Sequence, residues 1–335
     1  MADDFRLAVL NPAGRDPEQH FSDEQARASS KVHAPVNFHA YAACTHGAVF
    51  RETKRALASG WPVLLMLRGD FRATERALSD LRSAKRPVAV AFKETGMHQI
   101  AQQLSDPGKF ERFVRIARAA DGCVASTEHA AQILRLVTSR RVAFIPTPCP
   151  IDDENWNWSA AHRAGIFVGT REFDVPSRNH LAALLAAKKI SDATREAVTV
   201  FNLDRRRGAR MIAQIGFAKV RVHEQRASYR AYLGEVARHK IVFQLDRSRV
   251  PGQVAGDALL CRSVCVGGDG ATETIAYPET CGVDRTADQL ITIAQRLLEH
   301  EGERRAIAAR AIEIAMEKLS FSTGRKSLAH FFCQL

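Results

Sequence analysis

The 335-residue chain contains no uninterrupted apolar run of about 18 residues, the length a membrane-spanning helix requires, so no span is expected. Its opening, MADDFRLAVLNPAG, has acidic residues where a secretory signal carries basic ones, and the apolar stretch behind them is short. Both absences point to the cytoplasm. Cysteine is sparse: seven residues, an odd number, without the spacing of a disulfide framework. Cys261 and Cys265 stand close together, but no histidine or further cysteine sits nearby to complete a zinc site. They read as small core side chains, and no metal is expected. Aromatic residues make up only 7% of the chain, and no recognition helix or zinc-finger pattern occurs. Sequence-specific nucleic-acid binding is therefore not expected. Tandem repeats are absent as well, which excludes a solenoid.

What is present suits a soluble α/β protein. At 46% hydrophobic and 25% charged, the chain can build full cores, and its length fits two domains of middling size. The net charge of +11 is uneven: residues 1–155 hold 21 Lys+Arg against 18 Asp+Glu, and residues 156–335 hold 27 against 19. An excess of +8 in the second half suits an anionic ligand, a nucleic acid or an anionic membrane surface, although a solvated basic face explains it equally well. A place at the inner face of the membrane is thus compatible with a cytoplasmic protein.

Short β-rich runs alternate with amphipathic stretches along the chain, the pattern of parallel α/β sheets. In the first half, strands are expected at Leu7–Leu10, Val63–Leu67, Val88–Phe92, Gly122–Ala125 and Val142–Ile145. Helices are expected near Phe50–Ala58, Ala73–Ala84, Phe110–Ala119 and Glu128–Val137, with a long polar loop over Gly14–Ser30. Pro146–Asp153 interrupts the alternation as a linker. A second series follows, with strands at Gly165–Val168, Ala197–Asn202, Val220–His223, Ile241–Leu245 and Val264–Gly267. Its helices are Asn179–Lys189, Ala209–Ile215, Tyr229–Ala237 and Val254–Leu260, and the pattern is helical throughout from Ala287 to Phe332. The expected architecture is two Rossmann-like domains, residues 1–155 and 156–310, facing a cleft, with a final helix at 311–335. In doubly wound sheets, ligands sit beyond the carboxyl ends of the strands.

The richest stretch is Arg249–Glu273, RVPGQVAGDALLCRSVCVGGDGATE. Gly252 at a helix N-terminus lets backbone N–H groups approach a phosphate, favoured by the helix dipole. Asp257, about one and a half turns into that helix, is placed to accept ribose hydroxyls. Gly267, Gly268 and Gly270 form a second loop that fits close ligand contact or simply a turn.

This run resembles the donor-binding segment of the retaining GT-B glycosyltransferases of group 1: Glu-Gly-Phe-Gly, four variable residues, Glu-Ala, then Cys-Gly-x-Pro-Val-Val. Gly252 falls on the second glycine, Asp257-Ala258 on Glu-Ala, Cys261 on the cysteine, and Gly270–Glu273 on the loop ending in glutamate. Upstream, Ala119–Ala130 is similar to the segment closing the family's first domain, and Val142–Asp152 is similar to its linker. Ile166–Ala183 (IFVGTREFDVPSRNHLAA) is similar to the opening of its second domain. The resemblance implies C-terminal helices that cross back to the first domain, an acceptor-side first domain, and a donor-binding second domain. The donor site it implies comprises Arg171, Arg178, Arg249, Gly252, Gln253, Val254, Asp257 and Glu273, with Arg171 and Arg178 on the diphosphate. Arg178 replaces a lysine, and a guanidinium can grip phosphate bidentately where an ammonium acts as a point charge. Three departures stand out. Arg249 occupies the position of the family's first glutamate, Asp257 shortens the second, and Asn11-Pro12-Ala13-Gly14 replaces the glycine-rich loop after the first strand.

On the acceptor side, strand-end position nominates Asn11, Arg68, Asp70, Lys93, Glu94 and Glu128, with His39, His46 and His98 on nearby connections. Asp70, Lys93, Glu94 and His98 are the candidates for catalysis. The resemblance implies sugar transfer from a nucleoside diphosphate sugar, a cosubstrate rather than a cofactor, to a glycan or other hydroxyl acceptor without a metal. Two alternatives remain open: a catalytically degenerate binding or scaffold subunit, favoured by Arg249, and a nucleotide-sugar epimerase. The last would need converging acid–base carboxylates, and no dense cluster of them occurs.

Overall fold

The computed structural model describes residues 4–21 and 34–335. The chain forms two compact units, Met1–Asp152 with Lys318–Leu335, and Asp153–Glu317.

The first unit holds seven strands: β1 (Ala8–Leu10), β2 (Gln19–His20), β3 (Ala48–Phe50), β4 (Val63–Leu67), β5 (Val88–Phe92), β6 (Gly122–Ala125) and β7 (Arg141–Phe144). Their spatial order is β2-β3-β1-β4-β5-β6-β7, and all neighbours are parallel except β2 and β3. The sequences VLLML (β4) and VAVAF (β5) are buried at every position. Continuous apolar runs of this kind are what a parallel sheet covered on both faces selects. The flanking helices bury one stripe each; in Arg72–Ser83 it is Thr74, Ala77, Leu78 and Leu81. The chain moves from β1 to β3 on one side, then to β4 on the other. This topological switch point leaves Asn11 and Arg68 at the carboxyl ends of β1 and β4.

The last helix, Phe321–Phe332, belongs to this unit: Leu328, Phe331 and Phe332 pack into a cluster with Leu7, Val9, Leu64 and Val124. Its N-terminus is held by Asp152, whose carboxylate accepts from the backbone N–H groups of Phe321 (3.1 Å) and Ser322 (3.0 Å). The Arg325 guanidinium donates to the Cys44 carbonyl at 2.7 Å. The return of the C-terminal helix to the first sheet is thus fixed by both apolar packing and polar ties.

The second unit is a five-stranded, all-parallel sheet of β8 (Ile166–Val168), β9 (Val198–Phe201), β10 (Val220–His223), β11 (Ile241–Phe243) and β12 (Val264–Val266), in the order β10-β9-β8-β11-β12. Its switch point lies between β8 and β11. Helices His180–Thr194 and Ala287–Glu299 pack on each other and bury Ala183, Leu184, Ala187, Ile190, Leu290, Ala294 and Leu297 against the strands. The second of them starts in a Thr286–Gln289 capping box.

Several local expectations are corrected. Phe50 ends a strand paired with Leu10, and the helix begins only at Thr53. Gln19–His20 pairs with Ala48–Val49 inside the stretch expected to be loop, whose residues 22–30 lie outside the described residues. The stretch 287–332 is three helices, Ala287–Glu299, Glu301–Lys318 and Phe321–Phe332, because His300 leaves the helical region (ψ 86°) and Ser320 caps a new start at the N–H of Thr323. His98 and His39 lie on helices, Met97–Leu104 and His39–Ala43, rather than on connections.

Candidate functional site

The site is built where β8 and β11 end. Helix Gln253–Leu260 starts there at Gly252, which adopts φ 93° and ψ 46° and offers no side-chain cap. A Cβ at this position would lie 2.1 Å from Glu273 Oε2 and 2.8 Å from Thr272 Cβ, so glycine is demanded by both conformation and space. The first-turn N–H groups of the helix have no intrahelical partner and carry the positive end of its dipole. Val254 packs on Gly169, the residue that follows β8; a Cβ there would sit 2.3 Å from Val254 Cγ1. The bare helix N-terminus therefore rests directly on the end of β8, an arrangement suited to binding an anion.

The connection from β11 to this helix is tied down along its length. Asp246 accepts from the backbone of Ser248 (2.7 Å), and Ser248 Oγ meets Ser177 Oγ at 2.7 Å. Arg247 sends its guanidinium to the carbonyls of Gly282 and Arg285. The Arg249 N–H donates to Asp269 Oδ1 at 2.9 Å, and the Val250 and Pro251 carbonyls accept from Ala271 (2.9 Å) and Thr272 (3.0 Å).

Three arginines surround this point. Arg178, in the turn Pro176–Arg178, is 26% exposed and pairs with the 4% exposed carboxylate of Asp246 at 2.9 Å. Arg171, just beyond β8, lays its guanidinium over the Tyr232 ring at 5.3 Å from the centroid and makes no ion pair with another described residue. Arg249 is exposed, has φ 47°, and makes no side-chain hydrogen bond or ion pair within the described residues. Of the three, only Arg178 is in a direct ion pair among the described residues; Arg171 and Arg249 act at longer range on Asp257 and Asp269, whose carboxylates their charges favour.

The two carboxyl groups of the site are both buried. Asp257, 2% exposed, accepts from Tyr229 Oη and, at 2.6 Å, from Gln253 Nε2. Burial pushes its pKa up to about 6, and the Tyr229 hydroxyl, Gln253, the Arg171 charge and the Tyr232 hydroxyl pull the other way. Its Oδ1 is therefore occupied by two protein donors, so a ligand hydroxyl reaches the carboxylate through Oδ2 or displaces one of them. Glu273, also 2% exposed, accepts from Gln244 Nε2 at 2.7 Å through Oε1, while Oε2 has no partner and lies against Gly252 and Gly270. Burial raises its pKa to about 8, reinforced by Asp246 and Asp269, so this carboxyl is protonated at neutral pH. Gly267 and Gly268 take φ 88° and 80°, and Cβ atoms there would strike the Gln244 backbone (1.8 Å) and side chain (2.6 Å). These two glycines are needed for packing within the unit itself. His180 is buried with Nδ1 3.0 Å from Thr170 Oγ1, and burial lowers its pKa to about 4.

The candidates in the first unit are more dispersed. Asp70 caps its own turn at the Arg72 N–H and pairs with the Arg72 side chain at 3.2 Å, largely exposed. Lys93 and Glu94 pair with each other at 3.0 Å, and Lys93 also lies over the Phe38 ring. His98 is exposed in the first turn of its helix, and Glu128 pairs with Arg135. Asn11 is fully buried; its amide donates to Asp16 at 3.3 Å and its Oδ1 has no partner, while Arg68 donates to the Ala13 carbonyl. Cys261 and Cys265 are buried thiols outside any disulfide, and no helix among the described residues is long and apolar enough to cross a membrane.

Sequence reasoning missed Asp246, Tyr229, Tyr232, Gln244 and His180. Asp246 had a readable signal: an acid placed directly after the apolar run that ends β11. The tyrosines had none, because what brings them to Asp257 is the packing of helix Tyr229–Val236 against helix Gln253–Leu260.

Two units with parallel, doubly wound sheets and a C-terminal helix that rejoins the first define the GT-B fold. The solved structures that match agree. HepE from Anabaena, in complex with UDP-glucose, has a TM-score of 0.64 at 14% identity, covering 98% of this chain and 100% of its own. An E. coli trehalose-6-phosphate structure bound with UDP-2-fluoro glucose gives 0.66 at 9% identity, covering 98% and 99%. The α,α-trehalose 6-phosphate synthase of Burkholderia multivorans gives 0.63 at 11%, covering 84% and 74%. No protein-family model and no curated protein sequence matches the chain.

Proposed function

We propose that the protein transfers a sugar from a nucleoside diphosphate sugar to a hydroxyl acceptor, with residues 153–317 binding the donor and the first unit presenting the acceptor. The observation that carries this reading is the uncapped helix N-terminus at Gly252, seated on the end of β8 at the switch point, with Arg171, which stacks on Tyr232, on the segment that follows β8. A diphosphate is the anion whose size and charge suit such a pair. Two neighbours of the same fold, HepE and the E. coli structure, hold UDP-glucose and UDP-2-fluoro glucose, which supports a nucleotide-sugar ligand here.

In this reading the diphosphate lies on the first-turn N–H groups of helix Gln253–Leu260, with Arg171 and the outer face of Arg178 on its oxygens. Asp257 receives the ribose hydroxyls, through Oδ2 or in exchange for the hydrogen bond from Tyr229 or Gln253. As the glycosidic bond breaks, negative charge grows on the leaving diphosphate, and fixed donors already aimed there stabilise it without a metal. The protonated Glu273 adds no repulsion behind the helix start. A glycan or similar polyol is the acceptor, and Asp70, Lys93, Glu94 and His98 are the first-unit groups to test against it. Action in the cytoplasm or at an anionic membrane face fits the charge excess.

A second reading, a nucleotide-binding but non-transferring subunit, is favoured by the occupation of Asp257 Oδ1 by Tyr229 and Gln253. Incubation with a panel of uridine, guanosine and adenosine diphosphate sugars, with released nucleoside diphosphate as the readout, separates the two. Release that depends on an added hydroxyl acceptor supports transfer. Binding without release selects the second reading, and neither binding nor release rejects both.

A further inference from the structure

We propose that Arg249 selects a donor whose sugar bears a carboxylate, its guanidinium pairing with that acid group beyond the diphosphate. The inference rests on the donor reading above and names its substrate class.

The starting observation is an imbalance in the loop that joins β11 to helix Gln253–Leu260. From Asp246 to Pro251, every residue is tied to the body of the unit by a hydrogen bond of 3.0 Å or less or by the Arg247 guanidinium. The exposed Arg249 side chain leaves the loop without a hydrogen bond or ion pair among the described residues, and its charge acts on Asp269 at longer range. The residue also sits at φ 47°, a left-handed conformation that is unfavourable for a non-glycine residue and persists where surrounding contacts impose it. Here they do so through Asp269, which holds the Arg249 N–H. A backbone pinned on both sides fixes the point at which the exposed Arg249 side chain leaves the loop.

The distribution of charge then indicates what it holds. Asp246 already neutralises Arg178. The diphosphate is matched by Arg171 and by the helix N-terminus, so the Arg249 charge is surplus to it. Topology puts Arg249 on the far side of the helix start from the groups assigned to the nucleoside. Asp257 is engaged by Tyr229, from the helix after β10, and feels the charge of Arg171 after β8; Arg249 is anchored on Asp269, after β12. A ligand with its nucleoside toward Asp257 and its diphosphate at Gly252 therefore directs its sugar toward the β12 side. A guanidinium has donors only, so it serves an anionic substituent better than a hydroxyl, and its planar fork matches a carboxylate bidentately.

The test is calorimetric titration of the full chain with uridine diphosphate, uridine diphosphate glucose and uridine diphosphate glucuronate. Wild type is compared with R249Q, which keeps a non-glycine residue in the same backbone conformation, and with R249K. Wild type is expected to bind the glucuronate donor about tenfold or more tightly than the glucose donor, the scale of one charge-assisted pair. In R249Q the two donors should converge to within about twofold, and R249K should keep a reduced preference because it has the charge without the fork. Uridine diphosphate itself should bind wild type and R249Q alike. Equal affinity of wild type for both donors, or a preference that survives in R249Q, overturns the proposal. A loss of uridine diphosphate affinity in R249Q also overturns it, by making Arg249 a diphosphate ligand. If uridine diphosphate fails to bind wild type at all, the donor reading falls, and the assignment of Arg249 falls with it.

Discussion

Arg178 cannot be removed without consequence for Asp246, because that carboxylate is 4% exposed and Arg178 is its ion-pair partner. A phosphate contact from a charged group contributes roughly 1.5–3 kcal/mol, so Arg178→Ala should weaken nucleoside diphosphate binding by about ten- to a hundredfold. The same change strands a buried charge and should also lower the melting temperature. Pairing it with Asp246→Asn separates the effects: the double variant should regain stability and stay weak for nucleotide in calorimetry. Recovery of affinity would make Arg178 a structural partner of Asp246 and nothing more. Glu273 gives a prediction in pH. Its folded pKa is about 8 against an ordinary 4.5, so between those values the folded protein holds a proton that the unfolded chain releases. Stability contributed by this group is therefore present at low pH and falls as pH rises through the window. Asp257, raised to about 6, adds a slope of the same sign at the acid end. Glu273→Gln, isosteric with the protonated form, should match wild type at pH 5 and melt several degrees higher at pH 8.5, at roughly 2–4 °C per kcal/mol for a domain of this size. Identical melting curves at both pH values would place Glu273 in a wetter setting than the structure gives it. In the sequence, Gly252 and Asp257 are nominated by a strand–glycine–helix stretch, and Glu273 only by the family resemblance. The occupation of Asp257 is not legible, since it depends on a helix some 25 residues earlier in the chain.

At the scale of elements, the helix start at Gly252 is the feature on which the site depends. Gly252→Ala places a Cβ 2.1 Å from Glu273 Oε2 in addition to forcing alanine into a left-handed conformation. Overpacking of this kind costs about 1–3 kcal/mol. Gly216 offers the comparison, with φ 68° and nothing within 4 Å of where an alanine methyl would stand. Gly216→Ala should carry only the backbone penalty of roughly 1 kcal/mol and leave nucleotide binding intact, whereas Gly252→Ala should lose more stability and most of the affinity. Equal losses in urea unfolding would remove the steric argument for a dedicated anion cradle. The strands of the two sheets are legible because continuous apolar runs such as VLLML and VAVAF have few other fates. The short pieces are not. β2 has two residues and β3 three, too few for any period to show, and β3 merges with a neighbouring helix in the sequence pattern because Phe50 continues its apolar spacing.

For the whole molecule, the C-terminal helix ties the two ends of the chain into one sheet layer. A chain ending at Glu317 would uncover the cluster that Leu328, Phe331 and Phe332 complete with Leu7, Val9 and Leu64. Such a truncation should abolish the cooperative unfolding of the first unit and bind a hydrophobic dye, while the second unit, whose core lies within residues 166–308, should still melt. A truncated chain with an unchanged first transition would mean that the helix is an appendage. The two-domain α/β architecture is legible because alternation repeats on both sides of a proline-rich linker; the attachment of the last helix is legible only through resemblance, since an apolar stripe does not name its partner. The central claim, a diphosphate seated on the helix start at Gly252, is tested most directly by a crystal structure of the full chain grown with uridine diphosphate. Phosphate oxygens are expected within about 3 Å of the first-turn N–H groups of helix Gln253–Leu260, with the Arg171 guanidinium swung from Tyr232 onto them. A nucleotide bound elsewhere, or a diphosphate that touches neither the helix start nor Arg171, would contradict the claim.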